Sequence, residues 1–391
     1  MKRKSIFVWA AVVAVTLVIA DQPVAGQFKA TNLVSDKTGV ARYTDPNLLD
    51  AWGMAELPGG GFIVADALSG FVTFYSHNGT TLRSPVTVPP APSLPPGTPG
   101  SPAGLVANPT SEFVISKDGK SAPALYLFST LDGLICGWNP AVDPDNAVIM
   151  VDNSALSPFP ASYADLSMAR NKAGQMILYA TDSGISAAQS NNDVAMYDGN
   201  FHLLGTFTDP NAPSNMTAYS ARPVNGKLYV TYAAFTPLAG GVVDIFDTEG
   251  NMLRRFAANP PGGPLEAPWA AVRAPDGFGW ASHQLLIGNV DSGQISVFDP
   301  KTGGFLGQLA DVHGKPIVID GVWALIFAKG ESDDSSLQLF FAAGCVFPPA
   351  YSPSLFGRIT LPEGDAATTQ EVGNLSPALS LPQSRLSSHR K

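Results

Sequence analysis

The sequence predicts an all-β fold: a six-bladed β-propeller of four-stranded blades, closed by the N-terminal strand. Three observations predict it. First, only 14% of the 391 residues are charged, and 38 glycines and 34 prolines interrupt helices, so the composition favours short strands joined by tight turns. Second, a hairpin motif occurs several times. Third, a longer unit containing this motif occurs six times, which is typical of propellers.

The hairpin motif is clearest in two segments, VVDIFDTEGNMLRRF from Val242 and QISVFDPKTGGFLGQL from Gln294. Each has alternating apolar residues, an aromatic residue, a polar turn and a second alternating run, which is typical of an antiparallel hairpin. In three copies an aspartate follows the aromatic residue, and its carboxylate can accept hydrogen bonds from backbone N–H groups of the turn. We interpret these aspartates as turn-forming residues: Asp198, Asp247 and Asp299.

A strand–turn–strand segment precedes each hairpin. Six corresponding positions, spaced by 50 to 62 residues, define the units: Trp52, Gly104, Leu166, Tyr219, Trp269 and Trp323. One unit cannot bury both faces of its sheet, whereas six units stacked around an axis can. The last unit has a third strand at 355–361 but no fourth. We therefore expect the segment 28–36 to supply that strand and close the ring.

The N-terminal 26 residues have the layout of a secretory signal peptide. A basic start, MKRK, is followed by an apolar run at 6–20 and by small residues before Gln27. Cleavage after Ala20 is a competing possibility, and an uncleaved anchor is the main alternative. The sequence therefore predicts a secreted, extracellular protein with no membrane span after signal cleavage.

The remaining residues are predicted to form one domain and a tail. Residues 27–361 are expected to form a single propeller, and the polar, Ser- and Pro-rich residues 362–391 a disordered tail. Proline cannot donate a hydrogen bond to a strand ladder, so we interpret Pro85–Pro102 as an extended loop between units one and two. Cys136 and Cys345 belong to units two and six, too far apart for a disulfide, so both are expected to be free thiols.

The charge distribution restricts the partners. The net charge is −9 without a basic cluster, which argues against nucleic acid. The expected partner is a small molecule, a glycan or a protein of unknown identity, and the propeller is expected to be a monomer. Three sequons are candidate glycosylation sites: Asn78, Asn215 and Asn374.

Candidate site residues lie where strands end. Asp66, Asp132, Asp182 and Asn289 follow the second strand of their units, and in a propeller such positions surround one mouth of the channel. Converging oxygen atoms there could bind Ca²⁺, although the same side chains also cap turns. Asp320 is a fifth candidate. At the starts of inner strands, aromatic side chains could line a ligand pocket or wedge between blades: Trp52, Trp269 and Trp323.

Several ordered motifs resemble a family of secreted, uncharacterised proteins found mainly in bacteria. The motifs include TDPNLLDAWGMA, LDGLICGWNP, APWAAVRAPDGFG and LLIGNVDSGQISVFDPKTGGFLGQL, and the likeness covers 32–360. The resemblance implies a six-bladed propeller of the NHL and TolB-like type. Many bacterial members carry a C-terminal Pro-Glu-Pro sorting signal that this chain lacks, which favours free secretion. The family's acidic insertion after LYVTY is also missing, which counts against a cation site on that loop.

The sequence alone favours an extracellular binding or interaction propeller of unassigned ligand, because it contains no hydrolase, nucleotide-binding or metalloprotease motif. The alternative is a Ca²⁺-dependent hydrolase of lactones or esters at the channel mouth. A structural scaffold in a wall or matrix is a third hypothesis. Convergence of the four strand-end residues would favour the enzyme, and a mouth filled by apolar side chains would favour binding.

Overall fold

The computed structural model describes residues 27–329, 337–344 and 352–362, apart from positions 185, 187 and 235. The predicted signal peptide, Cys345, Asn374 and most of the predicted tail lie outside these residues. The first elements of the described part are two strands that precede the first blade: β1 (Lys29–Ser35) and β2 (Tyr43–Thr44).

Each of the next three blades is a four-stranded antiparallel sheet. Blade 1 contains β3 (Ala51–Glu56), β4 (Phe62–Asp66), β5 (Phe71–Tyr75) and β6 (Val86–Thr87). Blade 2 contains β7 (Pro102–Ala107), an inserted hairpin of β8 (Val114–Lys117) and β9 (Lys120–Pro123), then β10 (Tyr126–Thr130), β11 (Leu134–Trp138) and β12 (Val148–Asp152). Blade 3 contains β13 (Tyr163–Arg170), β14 (Met176–Asp182), β15 (Asp193–Tyr197) and β16 (Leu203–Phe207).

The other three blades follow the same plan. Blade 4 contains β17 (Met216–Val224), β18 (Lys227–Ala234), β19 (Gly241–Phe246) and β20 (Met252–Asn259). Blade 5 contains β21 (Pro268–Arg273), a short 3-10 helix (Gly279–Ala281), β22 (Leu285–Asn289), β23 (Ile295–Phe298) and β24 (Phe305–Gln308). Blade 6 begins with β25 (Val322–Lys329), β26 (Leu337–Ala343) and β27 (Leu355–Thr360).

The first strand of the chain closes the last blade. β1 pairs antiparallel with β27, from Lys29 opposite Thr360 to Ser35 opposite Leu355. Each inner strand contacts the inner strand of the next blade, and β25 contacts β3, so the ring is complete. The predicted six-bladed fold with N-terminal closure is therefore confirmed. One addition was not predicted: β2 extends the closing sheet by pairing in parallel with Val34 and Ser35 of β1.

The apolar strands pack on both faces, because every blade lies between two others. In β4, Phe62 and Val64 pack against blade 6, whereas Ile63 and Ala65 pack against blade 2. Apolar clusters of this kind fill the spaces between neighbouring blades. The core is thus divided into wedges between sheets, as stacking of the repeats requires.

The turn-forming role of the repeated aspartates is confirmed. The Oδ1 atom of Asp198 accepts hydrogen bonds from the backbone N–H groups of Asn200 and His202. Asp247 and Asp299 accept equivalent pairs within their own turns. Each of these carboxylates therefore stabilises the turn of its own hairpin.

The interpretation of Pro85–Pro102 as a loop is wrong near both ends, since Pro102 is the first residue of β7. Val86 and Thr87 form β6, the outer strand of blade 1, and Thr87 also exchanges backbone hydrogen bonds with the segment before β12. The strand is short because prolines on both sides provide no N–H donor. Cys136 is a buried free thiol, as predicted, and burial raises its pKa.

No helix in the described part of the chain has the length and apolar character needed to cross a membrane.

Candidate functional site

A β-bulge recurs in the inner strand of all six blades. In each blade the register between the first and second strands shifts at a corresponding point, for example between Ala51 and Met54 or between Val322 and Ala324. A bulge places an extra residue in one strand and redirects its side chain. The residues at these bulges include Trp52, Ala164, Tyr219, Trp269 and Trp323.

These aromatic side chains meet at the propeller axis. The rings of Trp52 and Trp323 stack with centroids 3.6 Å apart, and Trp269 meets Trp323 edge-on at 6.1 Å. Tyr219 of blade 4 also lies 6.1 Å from Trp323 of blade 6. Blades 4 and 6 are not neighbours, so this contact crosses the axis. The tryptophans thus pack on one another within the ring, and all four rings are buried.

An ion pair lies beside this aromatic cluster. Arg222 Nη2 is 2.7 Å from Asp165 Oδ1, and its guanidinium lies 4.3 Å from the centre of the Trp269 ring. Asp165 belongs to blade 3 and Trp269 to blade 5, so the Arg222 side chain spans the inner edge of blade 4. Burial raises the pKa of Asp165 to about 6, although Arg222 and two backbone N–H donors oppose this shift. The sequence interpretation missed this pair, whose only local signal is its closeness to the unit anchors Leu166 and Tyr219.

Two of the predicted mouth residues bind the backbone at the entrance of an inner strand. The Oδ1 atom of Asp182 accepts hydrogen bonds from the N–H groups of Ser162 and Gly184, each at 3.0 Å. In blade 5, Asn289 Oδ1 accepts the N–H of Glu266 at 3.0 Å, and its amide donates to the carbonyls of Pro264 and Gln294. Both side chains therefore join a second strand to the loop that begins the inner strand.

Asp132 has a similar role for the proline-rich segment. It lies two residues beyond the end of β10, where its Oδ2 atom accepts the N–H of Ala91 at 2.7 Å. Its Oδ1 atom accepts the hydroxyl of Ser101 at 3.1 Å. The side chain thus holds both ends of a loop that has few backbone donors of its own.

Asp66 differs from the other three residues. It is fully buried, and neither carboxylate oxygen has a hydrogen bond of normal geometry with any described residue. Burial raises the pKa of Asp66 well above its usual range; the nearby Thr73 lowers it, while the negative charges of Asp45 and Asp50 raise it further. Asp45 itself accepts a hydrogen bond from the Tyr75 hydroxyl at 2.9 Å. Burial in the folded protein therefore favours the neutral form of the Asp66 carboxyl group.

The structure does not assemble the strand-end residues into a metal-binding set. Within the described ranges, no group of three or more His, Cys, Asp or Glu side chains is arranged to hold a metal ion. Three of the four residues use their oxygen atoms to accept structural hydrogen bonds, as turn-capping residues do.

Asp320 lies away from the axis, on an open groove beside the closing strand. This closing groove has a volume of about 580 Å³ and is bordered by β1, by residues 40–42, by residues 318–320 and by residues 352–355. Arg42 and Asp320 contribute charges of opposite sign, and both are exposed. Neither forms an ion pair with another described residue. Val40 and Val318 contribute exposed apolar surface, at 37% and 52% exposure.

The two described sequons differ in access. Asn215 is exposed just before β17, although Thr217 of its sequon is buried. Asn78 is half-buried in the turn between Ser76 and Thr80, whose hydroxyls are 2.7 Å apart. Of the two asparagines, Asn215 is therefore the more accessible acceptor in the folded chain.

Comparison with known proteins finds relatives without an assigned activity. No family model matches the chain. It is 27% identical over 314 residues to "Uncharacterized protein R648" of Acanthamoeba polyphaga mimivirus, covering 76% of this chain and 73% of the relative. It is also 27% identical over 333 residues to protein L690 of the same virus, covering 81% and 82%. A third mimivirus protein, R640, is 29% identical over 233 residues, which are 56% of this chain and 40% of that protein.

Solved structures with a similar chain path include two lyases. A streptogramin B lyase matches 85% of this chain and 97% of its own, with a TM-score of 0.48 and 12% identity. The virginiamycin B lyase from Staphylococcus aureus covers 86% and 100%, with a TM-score of 0.47 and 12% identity. No activity is assigned from these likenesses.

Proposed function

We propose that this protein is an extracellular binding propeller and that the closing groove is its ligand site. The observation that carries the proposal is the contrast between the two candidate sites. Around the axis, aromatic rings pack on one another, three of the four strand-end side chains accept structural hydrogen bonds, and the fourth, Asp66, is fully buried. The closing groove is open, and beside its apolar walls it offers two exposed charges that form no ion pair with a described residue, although Arg42 also packs over the Tyr43 ring.

The chemistry of the closing groove suits recognition. Its volume lies within the range of ligand sites, and such sites combine apolar walls with a few polar groups that orient the ligand. Arg42 can bind a carboxylate or phosphate through two parallel hydrogen bonds, and Asp320 can accept from ammonium, amide or hydroxyl groups. A rigid ring that presents such a groove is a common arrangement for a binding module.

Secretion and family membership are part of this proposal. The support is the basic and apolar N-terminal segment, together with the ordered motifs that resemble the secreted bacterial family. The test is to express the full chain in a secreting host and to determine the N-terminal residue of the protein in the medium. We expect the mature chain to begin at Gln27. Retention of the complete chain inside the cell would contradict secretion.

The alternative, a Ca²⁺-dependent hydrolase at the channel mouth, is not favoured by any specific contact. Asp132, Asp182 and Asn289 are held by donors from their own blades or from the adjoining proline-rich loop. Calorimetric titration with millimolar Ca²⁺ provides the test. We expect no saturable heat, and a stoichiometric site lost in Asp182→Ala would support the enzyme instead.

The binding proposal is tested by a thermal-shift screen of the wild-type protein against sugars, organic acids, amines and peptides. A ligand that binds the folded state raises the melting temperature by mass action. We expect Arg42→Glu to abolish the shift given by a genuine ligand. Lys227→Glu is the matched control, because it makes the same charge change at an exposed hairpin turn of blade 4. A ligand whose effect survives Arg42→Glu and Asp320→Lys would place the site elsewhere.

A further inference from the structure

The outer edge of β1 is paired at its ends and open in between. β2 pairs only with Val34 and Ser35. Before them, the carbonyl of Asn32 accepts the N–H of Arg42 at 3.4 Å, and the N–H of Phe28 donates to the carbonyl of Ala310 at 3.1 Å. Both of these backbone groups therefore leave the edge that faces away from β27.

Ala30 lies between these two anchored positions. Backbone groups of alternate residues in a strand leave the same edge, so the N–H and C=O of Ala30 point the same way as those of Phe28 and Asn32. Among the described backbone groups outside the regular strand ladders, none bonds to Ala30. Ala30 and Asn32 also line the closing groove, and Ala30 is exposed. The groove thus contains one residue of strand edge that pairs with no backbone group of the described residues.

We propose that the closing groove binds an extended peptide segment of a partner protein, which adds a strand to β1 at Ala30. This inference rests on the proposed binding function and names the class of ligand. An N–H and a C=O from one residue match the hydrogen-bonding pair that one residue of an added antiparallel strand provides. The walls then contact the alternate side chains of the peptide.

The surroundings of Ala30 specify the peptide further. Val40 and Val318 offer apolar contacts to a peptide side chain. Arg42 can pair with an acidic residue of the peptide, and Asp320 can pair with a basic one. The peptide is therefore expected to combine apolar residues with charges of both signs. A second copy of this chain fits less well. Residues 40–42 and 318–320 flank the open edge of β1 in each molecule, so the β1 edges of two molecules cannot approach each other closely.

The experiment selects linear peptides from a random dodecapeptide library displayed on phage, against the full secreted chain. Selected peptides are synthesised, and their Kd is measured by fluorescence polarisation. Ala30→Pro removes the outward N–H, and proline is tolerated on an edge where no partner strand needs the donor. We expect this variant to weaken binding by about tenfold or more, the effect of one lost hydrogen bond in a confined site. Ala30→Val keeps the N–H and should bind within about threefold of wild type.

Backbone methylation of the peptide gives a second readout that does not depend on a protein variant. N-methylation of the amide that pairs with Ala30 should weaken binding about tenfold, and N-methylation of the adjacent amide should not. Peptides that bind wild type and Ala30→Pro equally, or that tolerate methylation at every amide, would overturn the proposal. So would a selection that yields no peptide.

The same experiment distinguishes this inference from the broader proposal. If sugars or organic acids stabilise the protein in a manner that needs Arg42 while no peptide does, the groove binds ligands but adds no strand. Light scattering of the free protein tests the second-copy alternative. A dimer that disappears in Ala30→Pro would show that the groove binds another molecule of this chain and not a peptide of a partner protein.

Discussion

The indole rings of Trp52 and Trp323 stack face to face, with centroids 3.6 Å apart and ring planes inclined by 12°. Trp52 belongs to the first blade of the chain and Trp323 to the last. The two ends of the propeller are thus joined at the axis as well as at the outer edge, where β1 pairs with β27.

Replacement of Trp323 by alanine should be strongly destabilising. The change removes ring contacts with Trp52, Trp269 and Tyr219 and leaves a cavity where four blades meet. We expect the free energy of unfolding, measured in urea, to fall by about 3–5 kcal/mol. Trp280→Ala is the control, because Trp280 is only half-buried near the outer edge of blade 5, and its effect should be clearly smaller. Equal losses would mean that the axial cluster adds no special stability.

Asp66→Asn and Asn289→Asp, at equivalent strand ends of blades 1 and 5, should change stability in opposite directions. Asp66→Asn removes a buried carboxyl that lacks normal hydrogen bonds, and asparagine already occupies this position in blade 5. The pKa of Asp66 is raised in the folded state, so the folded protein keeps this proton to a higher pH than the unfolded chain does. Wild-type stability therefore falls as the pH rises above about 4, and Asp66→Asn abolishes this loss.

The variant Asp66→Asn should thus exceed the wild type by about 1 kcal/mol or more at pH 8, with a smaller difference at pH 4. The reciprocal change, Asn289→Asp, directs a carboxylate at the carbonyls of Pro264 and Gln294 and should cost about 2–4 kcal/mol. Both are measured by urea unfolding at the two pH values. A pH-independent difference for Asp66→Asn would contradict a neutral buried carboxyl.

Arg222→Met should destabilise the protein in a pH-dependent manner. In the wild type, the pKa of Asp165 is about 6 in the folded state, above the unfolded value of about 4, so stability falls between these pH values and is constant above them. Without Arg222 the pKa of Asp165 rises further, so the free energy of unfolding keeps falling with pH through neutral pH. We expect a cost of about 3–5 kcal/mol at pH 8 and less at pH 5.

Asp165→Asn should restore most of this stability in the double variant, because no buried charge then remains unpaired. Arg273→Met provides the control, since Arg273 is exposed and should change stability little at either pH. If Arg222→Met costs the same at pH 5 and pH 8, its packing against Trp269 outweighs its charge.

The closing register predicts opposite outcomes for neighbouring prolines. The N–H of Thr31 points to β27, where Thr31 pairs with Arg358, whereas the N–H of Ala30 points away. Thr31→Pro should lower the free energy of unfolding by about 2 kcal/mol or more, because it removes a ladder hydrogen bond. Ala30→Pro should change it little. Similar melting temperatures for both variants would show that β1 pairs in a different register.

The ring and its closure could be predicted from the sequence because they depend on local patterns. The aspartate turns repeat at Asp198, Asp247 and Asp299, and the missing fourth strand of the last unit matches the apolar segment at 28–36. The extra strand β2 could not be predicted, since two residues that pair in parallel leave no periodic signal.

The positions of the candidate residues at strand ends could be predicted from the sequence, but their contacts could not. The tryptophans do occupy equivalent places, but the bulges that bring them together depend on register, which the apolar pattern does not specify. Asp66 and Asn289 end equivalent strands, yet only Asn289 meets donors and acceptors from the preceding loop. The closing groove joins residues 30–42 to residues 318–355, which are far apart in the chain, so no local motif marks it.

The position of β1 between β27 and β2 has a consequence for biosynthesis. Leu33 and Val34 are synthesised long before their partner strand, which ends at Thr360. Until β27 has been synthesised, this apolar segment has no partner strand, and an unpaired apolar strand is prone to aggregation. The propeller therefore cannot close before β27 is synthesised, so every earlier stage of the growing chain has an open ring.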